Sequence, residues 1–427
     1  MASVDPDVAG RPSPNRLSPM GFVLAFGVVS MLGDFVYEGA RSVIGPFLAT
    51  FGASAALVGL VTGAGEAVAL VFRLFTGQLA DRTGRRWALT IGGYVITVVA
   101  VPVLAAVQAL WQAVALVVLE RFGKAVRSPA RDTMLAEAGG TLGRGRAFAI
   151  HEALDQSGAL VGPLLMAGMV AISGYRLGFA VLAIPAAALL AVLAWLRLAA
   201  PDPAAYDAAT PASGEAAAAD DAADDAADDA AAGDGAGAAV GPAGFSARFW
   251  FYAAFTTLTM AGFATFGVLA YHLEVRHVLP AGLIPVTYAA AMGAAALAAL
   301  VSGDAYDRWG LRGLFVLPPL ALLVPFWSLS TSAGLVWAGA VVWGIAMGVH
   351  ESTMRAAVAD LVPPARRGFG YGVFTAVYGL AWLAGGALIG LLYDMSVHAV
   401  IIYTIVTQVL AMVAFGALAV ARPARPA

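Results

Sequence analysis

The feature that most constrains this chain is a succession of apolar segments, each long enough to cross a lipid bilayer. A spanning helix needs about 20 predominantly apolar residues, and the 427-residue chain is 60% apolar and only 12% charged. Soluble domains are about 45–50% apolar and about 25% charged, so water cannot be the main solvent of this chain. We predict twelve spans, at roughly 19–48, 54–80, 84–107, 109–137, 145–173, 175–199, 247–275, 281–303, 312–331, 334–361, 367–393 and 396–421.

The polarity pattern within these spans indicates helices. Lipid offers the backbone no hydrogen-bond partners, so only helices and closed barrels can cross it. No segment alternates apolar and polar residues as the strands of an outer-membrane barrel do. We therefore predict an all-α membrane protein.

A break in the apolar pattern at residues 200–245 separates two groups of six spans. Ten of the 27 acidic residues lie in this segment and none of the 24 basic ones, so the formal charge of -3 originates there. Such a composition cannot bury a core. We predict a cytoplasmic tail at 1–18, a six-helix bundle at 19–199, a solvated acidic linker at 200–245, a second bundle at 246–421 and a tail at 422–427.

Arginines follow every second span, and this asymmetry indicates the orientation. The opposite loops are nearly bare, with Arg176, Arg276 and His277 as exceptions. The positive-inside rule therefore places the arginine-rich loops and both termini in the cytoplasm, and we predict a multi-pass protein of the cytoplasmic membrane with no cleavable signal. The arginines of these loops are Arg82, Arg85, Arg86, Arg144, Arg146, Arg308, Arg312, Arg366 and Arg367.

Several chemistries are excluded or disfavoured by residue content. The chain has no cysteine, which excludes disulfides and thiolate metal sites. It has no phosphate-binding loop of the Gly-x-x-x-x-Gly-Lys-Ser/Thr type, so direct drive by ATP is not expected. His151 and Glu152 begin a zinc-protease helix motif, but Asp155 replaces the second histidine. We predict no enzymatic activity, no metal and no cofactor.

A ten-residue segment after span two recurs after span eight, which indicates an internal duplication. Residues 77–86 read GQLADRTGRR and residues 303–312 read GDAYDRWGLR. The second copy keeps Gly303, Asp307, Arg308 and Gly310, but has Leu311 in place of Arg85. A duplication of this kind places a ligand site near the bilayer midplane, between the two halves.

The 77–86 segment resembles the signature loop of the major facilitator superfamily of membrane transporters. The resemblance implies two pseudo-symmetric six-helix bundles that move a small solute by alternating access. It also implies that Asp81 docks against the start of helix eleven and that Arg85 pairs with helix four, where Asp132 is our candidate; alternatively, the charges only set topology. The candidate gating residues are Gly77, Asp81, Arg82, Gly84, Arg85, Asp132, Asp307 and Arg308.

Two further segments resemble members of this superfamily. Helix five contains Gly158, Gly162 and Pro163, which resemble the core of a motif associated with drug and proton antiporters, without its trailing glycine pair. The block 120–132, followed by Gly145-Arg146-Ala147-Phe148, looks like a prokaryotic subgroup of multidrug-like permeases. The resemblance extends over nearly the whole chain.

Ionisable residues inside the spans mark candidate sites, because each costs at least about 2.5 kcal/mol at the bilayer centre. In the superfamily, helices one, four, seven and ten line the cavity. The resemblance therefore makes the following residues candidates for substrate or proton handling: Asp34, Glu38, Arg121, Lys124, Arg127, His350 and Glu351. Helix two adds Glu66 and Arg73.

Intramembrane pairing is the alternative role for these charges. Glu38 with Arg41, Glu120 with Lys124 and Glu351 with Arg355 are each one turn apart. Lys124 is the chain's sole lysine. A buried ammonium can lose its proton, whereas a guanidinium effectively cannot, so we expect Lys124 to bind an anionic group or to take part in coupling.

The sequence thus predicts a secondary transporter, and we expect proton-coupled efflux. Uptake of an organic anion is the alternative suggested by Arg121, Lys124, Arg127 and Arg131, and cation or metal export is suggested by Asp34, Glu38, His350 and Glu351. A membrane sensor or scaffold is the alternative outside transport. The expected partners are the lipid bilayer, a small solute and protons, with no nucleic acid, and we expect a monomer.

Overall fold

The computed structural model describes residues 15–140, 142–208, 245–363 and 366–420. Within these ranges the chain forms helices and turns and no β-sheet, which confirms the predicted all-α class. Most of the predicted linker, residues 1–14 of the predicted N-terminal tail and the whole of the predicted C-terminal tail lie outside the described residues.

Every predicted span falls on helical structure, and spans one and seven are each divided into two helices. Nine helical segments of the described chain are long and apolar enough to cross a membrane. Two of these, Gly145–Ala199 and Ala281–Ser328, contain 55 and 48 residues and each holds two predicted spans. The predicted fourth span falls in a further 29-residue helix, Leu110–Ala138, which carries several charged residues.

The first half begins with a helix pair and contains one sharp kink. α6 changes direction at Ser173 and Gly174, where Gly174 has a φ of 78°, a left-handed conformation that glycine adopts without steric cost. This kink separates predicted spans five and six. The helices are α1 (Pro19–Arg41), α2 (Ile44–Ala49), α3 (Ala55–Thr83), α4 (Arg86–Val103), α5 (Leu110–Ala138), α6 (Arg144–Val181), α7 (Ala183–Ala199) and α8 (Ala204–Ala208).

The second half repeats this plan. Span seven is broken into two helices, just as span one is broken between α1 and α2. The helices are α9 (Ala247–Ala261), α10 (Phe266–Val275), α11 (Ile284–Trp309), α12 (Leu317–Ser328), α13 (Ala333–Leu361), α14 (Arg367–Met395) and α15 (Val397–Val420).

Local sequence signals set several of the helix ends. Ser18, Ser54 and Ser246 are N-caps of α1, α3 and α9, and each hydroxyl accepts a hydrogen bond from a backbone N–H of the first turn. Gly84 ends α3 with a φ of 61°, the left-handed conformation in which a glycine commonly follows a helix.

Several helix pairs of the described chain pack across the two halves, one of them being the short helix α2 against α10. α3 packs along α14, and α6 packs along α11. Within the halves, α1 packs on α6 and α11 packs on α13. The polar side chains that could form a site are carried mainly by α1, α3 and α5, on the side that faces the second half.

Candidate functional site

The two halves meet closely at one end of the α3–α14 pair. Gly59 and Gly63 on α3 lie against Gly386 and Gly390 on α14. A Cβ atom at Gly63 would come within 2.9 Å of the Trp382 carbonyl oxygen, and one at Gly59 would lie 3.2 Å from the Gly390 Cα. Glycines four apart on each helix therefore let the two backbones touch.

Polar contacts between the halves lie at the same end, on the arginine-poor side. The Asp394 carboxylate accepts hydrogen bonds from the backbone N–H groups of Ala55 and Ala56, each at 2.9 Å. The hydroxyls of Thr62 and Thr265 are 2.9 Å apart. Backbone and side-chain contacts thus close the arginine-poor side in this conformation.

Two tyrosines extend this closure. The Tyr271 hydroxyl donates to the Ala53 carbonyl at 3.1 Å, and the Tyr175 hydroxyl donates to Glu274 at 2.6 Å. Each of these bonds also joins the first half to the second.

The signature segment, residues 77–86, lies at the other end of α3. Its charged side chains are not covered by the second half in this conformation. Asp81, Arg82 and Arg85 are exposed, and among the described residues no hydrogen bond or ion pair involves their side chains. Gly77 lies near Pro129, whose Cβ is 3.8 Å from the position that a Cβ atom at Gly77 would take. The docking expected of Asp81 is therefore not made here and stays a prediction.

The expected pair of Arg85 with Asp132 is also not made in this conformation. Asp132 instead accepts from its neighbour Arg131 at 2.9 Å. The segment does reach helix four, but through Arg86, which forms an ion pair with Glu137. The adjacent arginine makes this contact because Arg86 begins α4, which packs along α5.

The second copy of the segment makes only a local contact. Arg308 pairs with Asp304 one turn away at 3.0 Å, and both side chains are more than 70% exposed. Asp307 is exposed as well. An exposed pair of this kind contributes little to stability.

A network of ion pairs lies at the centre of the first half. The Glu66 carboxylate on α3 forms ion pairs with Arg41, at 2.9 Å, and with Arg121, at 3.3 Å. Arg41 also lies 3.5 Å from Glu38, and Arg121 also lies 3.2 Å from Glu120. The predicted Glu38–Arg41 pair is present, whereas the suggested Glu120–Lys124 pair is replaced by the adjacent Arg121.

The other charges on α5 face α1 and α4. Arg127 is 1% exposed, lies 3.9 Å from Asp34 and donates to the Thr97 hydroxyl at 3.1 Å. Lys124 has its ammonium 4.1 Å from the centre of the Tyr37 ring, a distance suited to a cation–π contact. No carboxylate of the described chain lies within ion-pair distance of Lys124.

The network continues into the second half through Glu38. The Tyr288 hydroxyl, on α11, donates a hydrogen bond to the Glu38 carboxylate. Glu351, on α13, is exposed to the space between the halves and interacts electrostatically with Arg41, Lys124 and Glu38. The structure therefore gathers Asp34, Glu38, Arg121, Lys124, Arg127 and Glu351 into one region.

His350 is the candidate that stands apart from this region. It is completely buried, and its ring lies against Phe263 and Tyr378, with centroids 5.9 and 6.4 Å away. Neither ring nitrogen has a hydrogen-bond partner among the described residues. The suggested Glu351–Arg355 pair involves a side chain outside the described part of the structure.

A small cavity of about 30 Å³ separates the ion network from the closed side. Tyr37, Arg41, Glu66, Arg121 and Thr265 contribute to its walls. A water molecule needs roughly 10–15 Å³ of such volume, so the cavity has room for about two waters beside the charges.

Sequence reasoning missed two members of the network, Tyr37 and Tyr288, and left Arg41, Glu66 and Glu120 outside the candidate set. Tyr37 adjoins Glu38, so its place was readable from the helix. Tyr288 had a weaker signal, since it precedes a long run of small residues on α11.

The helix-five glycines serve the packing of α6 on α1. A Cβ atom at Gly158 would lie 3.0 Å from the Phe35 nitrogen, and one at Gly162 would lie 3.1 Å from the Gly39 nitrogen. Pro163 follows within the same helix. These close approaches position α1, and with it Asp34 and Glu38.

The described residues contain no group of three or more histidine, aspartate or glutamate side chains arranged to hold a metal ion. The ligand set considered for metal export, which combined Asp34, Glu38, His350 and Glu351, is therefore not assembled in this conformation.

Comparison with known proteins gives one family. The family model described as Major Facilitator Superfamily matches residues 26–326 and, in an overlapping second match, residues 279–427. An uncharacterized protein of Mycobacterium tuberculosis is 48% identical over 418 residues, which cover 97% of this chain and 96% of that protein.

Two solved structures show the same fold. The nucleoside transporter NupG superposes with a TM-score of 0.67 at 17% identity, covering 94% of this chain and 100% of that chain. A bacterial homolog of the human lysosomal transporter Spinster, in an inward-facing and unoccupied conformation, gives 0.70 at 14% identity, covering 96% and 99%. At these identities the likeness shows the fold alone.

Proposed function

The chain belongs to the Major Facilitator Superfamily and is a membrane transport protein, and from this premise we propose that it exchanges protons for a small solute by alternating access. The observation that carries the proposal is the bond between Glu38 and Tyr288. It links a carboxylate of the first half's ion network to the second half, where movement between the halves must break or remake it.

The orientation supports an inward-facing conformation. The positive-inside rule places the arginine-rich loops in the cytoplasm, so the closed end of the α3–α14 pair faces the exterior. In this state Asp34, Lys124 and Glu351 lie on the cytoplasmic side of the closed end.

Glu38 is suited to couple a proton to this motion. As a carboxylate it attracts both Arg41, at 3.5 Å, and the Tyr288 hydroxyl. Protonation of Glu38 removes the negative charge that attracts Arg41 and the Tyr288 hydroxyl. A hydrogen bond to a charged group contributes about 1.5–3 kcal/mol, so losing it changes the ratio of two conformations by roughly 10- to 150-fold.

The charges that line the space between the halves favour a solute with a positive charge. Glu152 and Glu351 are exposed there. Arg121, Arg127 and Arg131, which suggested an anionic substrate, are each engaged with an acidic side chain. Uptake of an organic anion therefore rests on Lys124 alone.

Export is proposed from the resemblance of the helix-five segment 158–163 to the antiporter motif. In this direction, protons enter the cytoplasm as the solute leaves. The gradient supplies the energy, since the chain has no ATP-binding loop.

The test uses purified protein in proteoliposomes that contain a pH-sensitive dye. Drugs, organic acids and divalent ions are first ranked by the rise in Tm that they cause, because a ligand selective for the folded state stabilises it. Vesicles loaded with a solute that binds should release it faster, and acidify inside, when the outside is made acidic.

Variants then test the role of Glu38. Glu38→Gln should retain solute exchange at equal pH but lose the response to a pH gradient, and Asp202→Asn, at an exposed acid, should behave as the wild type. A normal gradient response in Glu38→Gln would refute coupling at this residue. Movement of solute in the same direction as protons would support symport, and binding without flux would support a sensor.

A further inference from the structure

We propose that Asp394 is the outer latch of the transport cycle: it holds the exterior side closed by capping the N-terminus of α3. Asp394 lies in the last turn of α14, in the second half, whereas α3 belongs to the first half. Its carboxylate is therefore a contact that forms only when the two halves meet on this side. This inference adds a positioning residue that acts through the helix pair and touches no solute.

The geometry is that of a two-oxygen cap. One carboxylate oxygen accepts from Ala55 N and the other from Ala56 N, both at 2.9 Å. The first N–H groups of a helix have no partner within the helix, and negative charge is favoured at this end of its dipole. Charge-assisted bonds of this kind are about twice as strong as neutral ones.

The N-cap residue of α3, Ser54, does not accept a hydrogen bond from the N–H groups of Ala55 and Ala56. The Ser54 hydroxyl accepts from Leu57 N, at 3.3 Å, so it satisfies a different member of the first turn. When the halves separate, Ala55 N and Ala56 N lose Asp394 and must turn to water. The closed state thus has a specific polar contact that the open state lacks.

The glycine contacts of α3 with α14 explain why the latch requires close approach. Gly390 lies one turn before Asp394, and a Cβ atom there would come within 2.8 Å of the Ala55 carbonyl carbon. Backbone contact at Gly390 therefore brings the Asp394 side chain within reach of the α3 N-terminus. Packing and capping operate together at this end of the pair.

The same helix pair has an acid at its other end. α3 and α14 run in opposite directions, so the last turn of α3, which carries Asp81, lies at the end where α14 begins. Asp81 is exposed and forms no hydrogen bond or ion pair with a described residue. Resting on the proposed alternating access, and on the docking of Asp81 against the start of helix eleven (α14) that the family resemblance implies, the cycle exchanges one helix cap for the other.

Spin-label distances measure the position of this equilibrium without any solute or proton gradient. The chain contains no cysteine, so labels attach only at introduced sites. Gln108→Cys and Thr331→Cys place one label on an exposed loop of each half, both on the arginine-poor side. The full-length protein is studied in lipid nanodiscs, and the ratio of short to long distances reports closure.

Asp394→Asn should lower the ratio of closed to open protein about five- to tenfold, because the amide keeps only one acceptor oxygen for the two N–H groups and loses the charge that the helix dipole favours. Asp202→Asn, at an exposed acid on the other side, should leave the ratio unchanged. An unchanged ratio in Asp394→Asn, or an equal shift in Asp202→Asn, would overturn the proposal.

A second variant removes the donor instead of the acceptor. Ala56→Pro deletes one N–H group in the first turn, where proline is compatible with a helix. Its effect should not add to that of Asp394→Asn, because both remove the same contact. Additive effects would show that Asp394 acts elsewhere.

Adding Asp81→Asn to Asp394→Asn tests the exchange of caps. The double variant should return the ratio toward that of the wild type. If Asp394→Asn shifts the ratio and the double variant does not restore it, Asp394 is a latch and the docking proposed for Asp81 is wrong. The distance measurement needs no transport, so failure of proton coupling would not affect it.

Discussion

Replacing Gly59 with alanine should open the arginine-poor side of the protein, which the proposed orientation places outside the cell. A Cβ atom at this position would collide with the Gly386 carbonyl oxygen, and would lie 3.0 Å from its carbon and 3.2 Å from the Gly390 Cα. All of these are backbone atoms, which cannot rotate away as a side chain could. Alanine at this position therefore forces α3 and α14 apart.

The magnitude follows from the cost of overpacking, which is about 1–3 kcal/mol. Alanine also favours the helix over glycine by about 1 kcal/mol, but this gain applies to the open and closed conformations alike. It does not alter their ratio. The ratio of closed to open protein should therefore fall by about 5- to 150-fold.

Reagent access to Thr265 measures this shift. Thr265 is only 4% exposed and lies beneath the glycine contacts, bonded to Thr62. A membrane-impermeant maleimide should label Thr265→Cys at a rate proportional to the open fraction, and Gly59→Ala should raise that rate by the factor above. Gly293→Ala is the control, because its Cβ would meet no atom within 4 Å.

Two results would refute the reasoning. Equal labelling rates in the Gly59→Ala and Gly293→Ala backgrounds would show that backbone contact does not limit opening. A lower Tm for Gly59→Ala together with an unchanged labelling rate would show that Gly59 contributes to folding and not to the ratio of closed to open protein.

Three further predictions concern the ion network and the signature segments. Glu66→Gln should lower the free energy of unfolding by about 3 kcal/mol, the lower end for breaking a buried pair, because it removes the acid that Arg41 and the buried Arg121 share. Each arginine keeps a second acid, Glu38 or Glu120. The Tm is compared with that of Glu152→Gln, at an exposed acid. Lys124→Arg should change the pH profile of transport, because a guanidinium cannot release its proton, and an unaltered profile would contradict a coupling role. Asp81→Asn should reduce transport more than Asp307→Asn at equal expression, and comparable losses would contradict the ranking of the two segments.

The helix positions were readable from the sequence because they depend on local properties. Span length, apolar content and the glycine at position 84 each act within one segment. The kink at Ser173 and Gly174 falls where the apolar pattern was divided between spans five and six. Segment duplication then implied two equivalent halves, in agreement with the paired helix breaks in spans one and seven.

Pairing partners were only partly readable. Spacing along one helix correctly indicated Glu38 with Arg41. It also suggested Glu120 with Lys124, but the long side chain of the adjacent Arg121 reaches Glu120 at 3.2 Å. Helical periodicity leaves several neighbours at similar distances, and the flexible guanidinium side chain decides among them.

The sequence by itself determined that this chain spans a membrane as a duplicated helical bundle, and that charged residues lie within its spans. Tertiary structure alone decided which charges meet across helices: Arg86 rather than Arg85 reaches helix four, Tyr288 binds Glu38, and Asp394 caps α3. Hydropathy and periodicity describe one helix at a time. The rotation and spacing of packed helices, set here by glycines that let backbones touch, determine which side chains face each other.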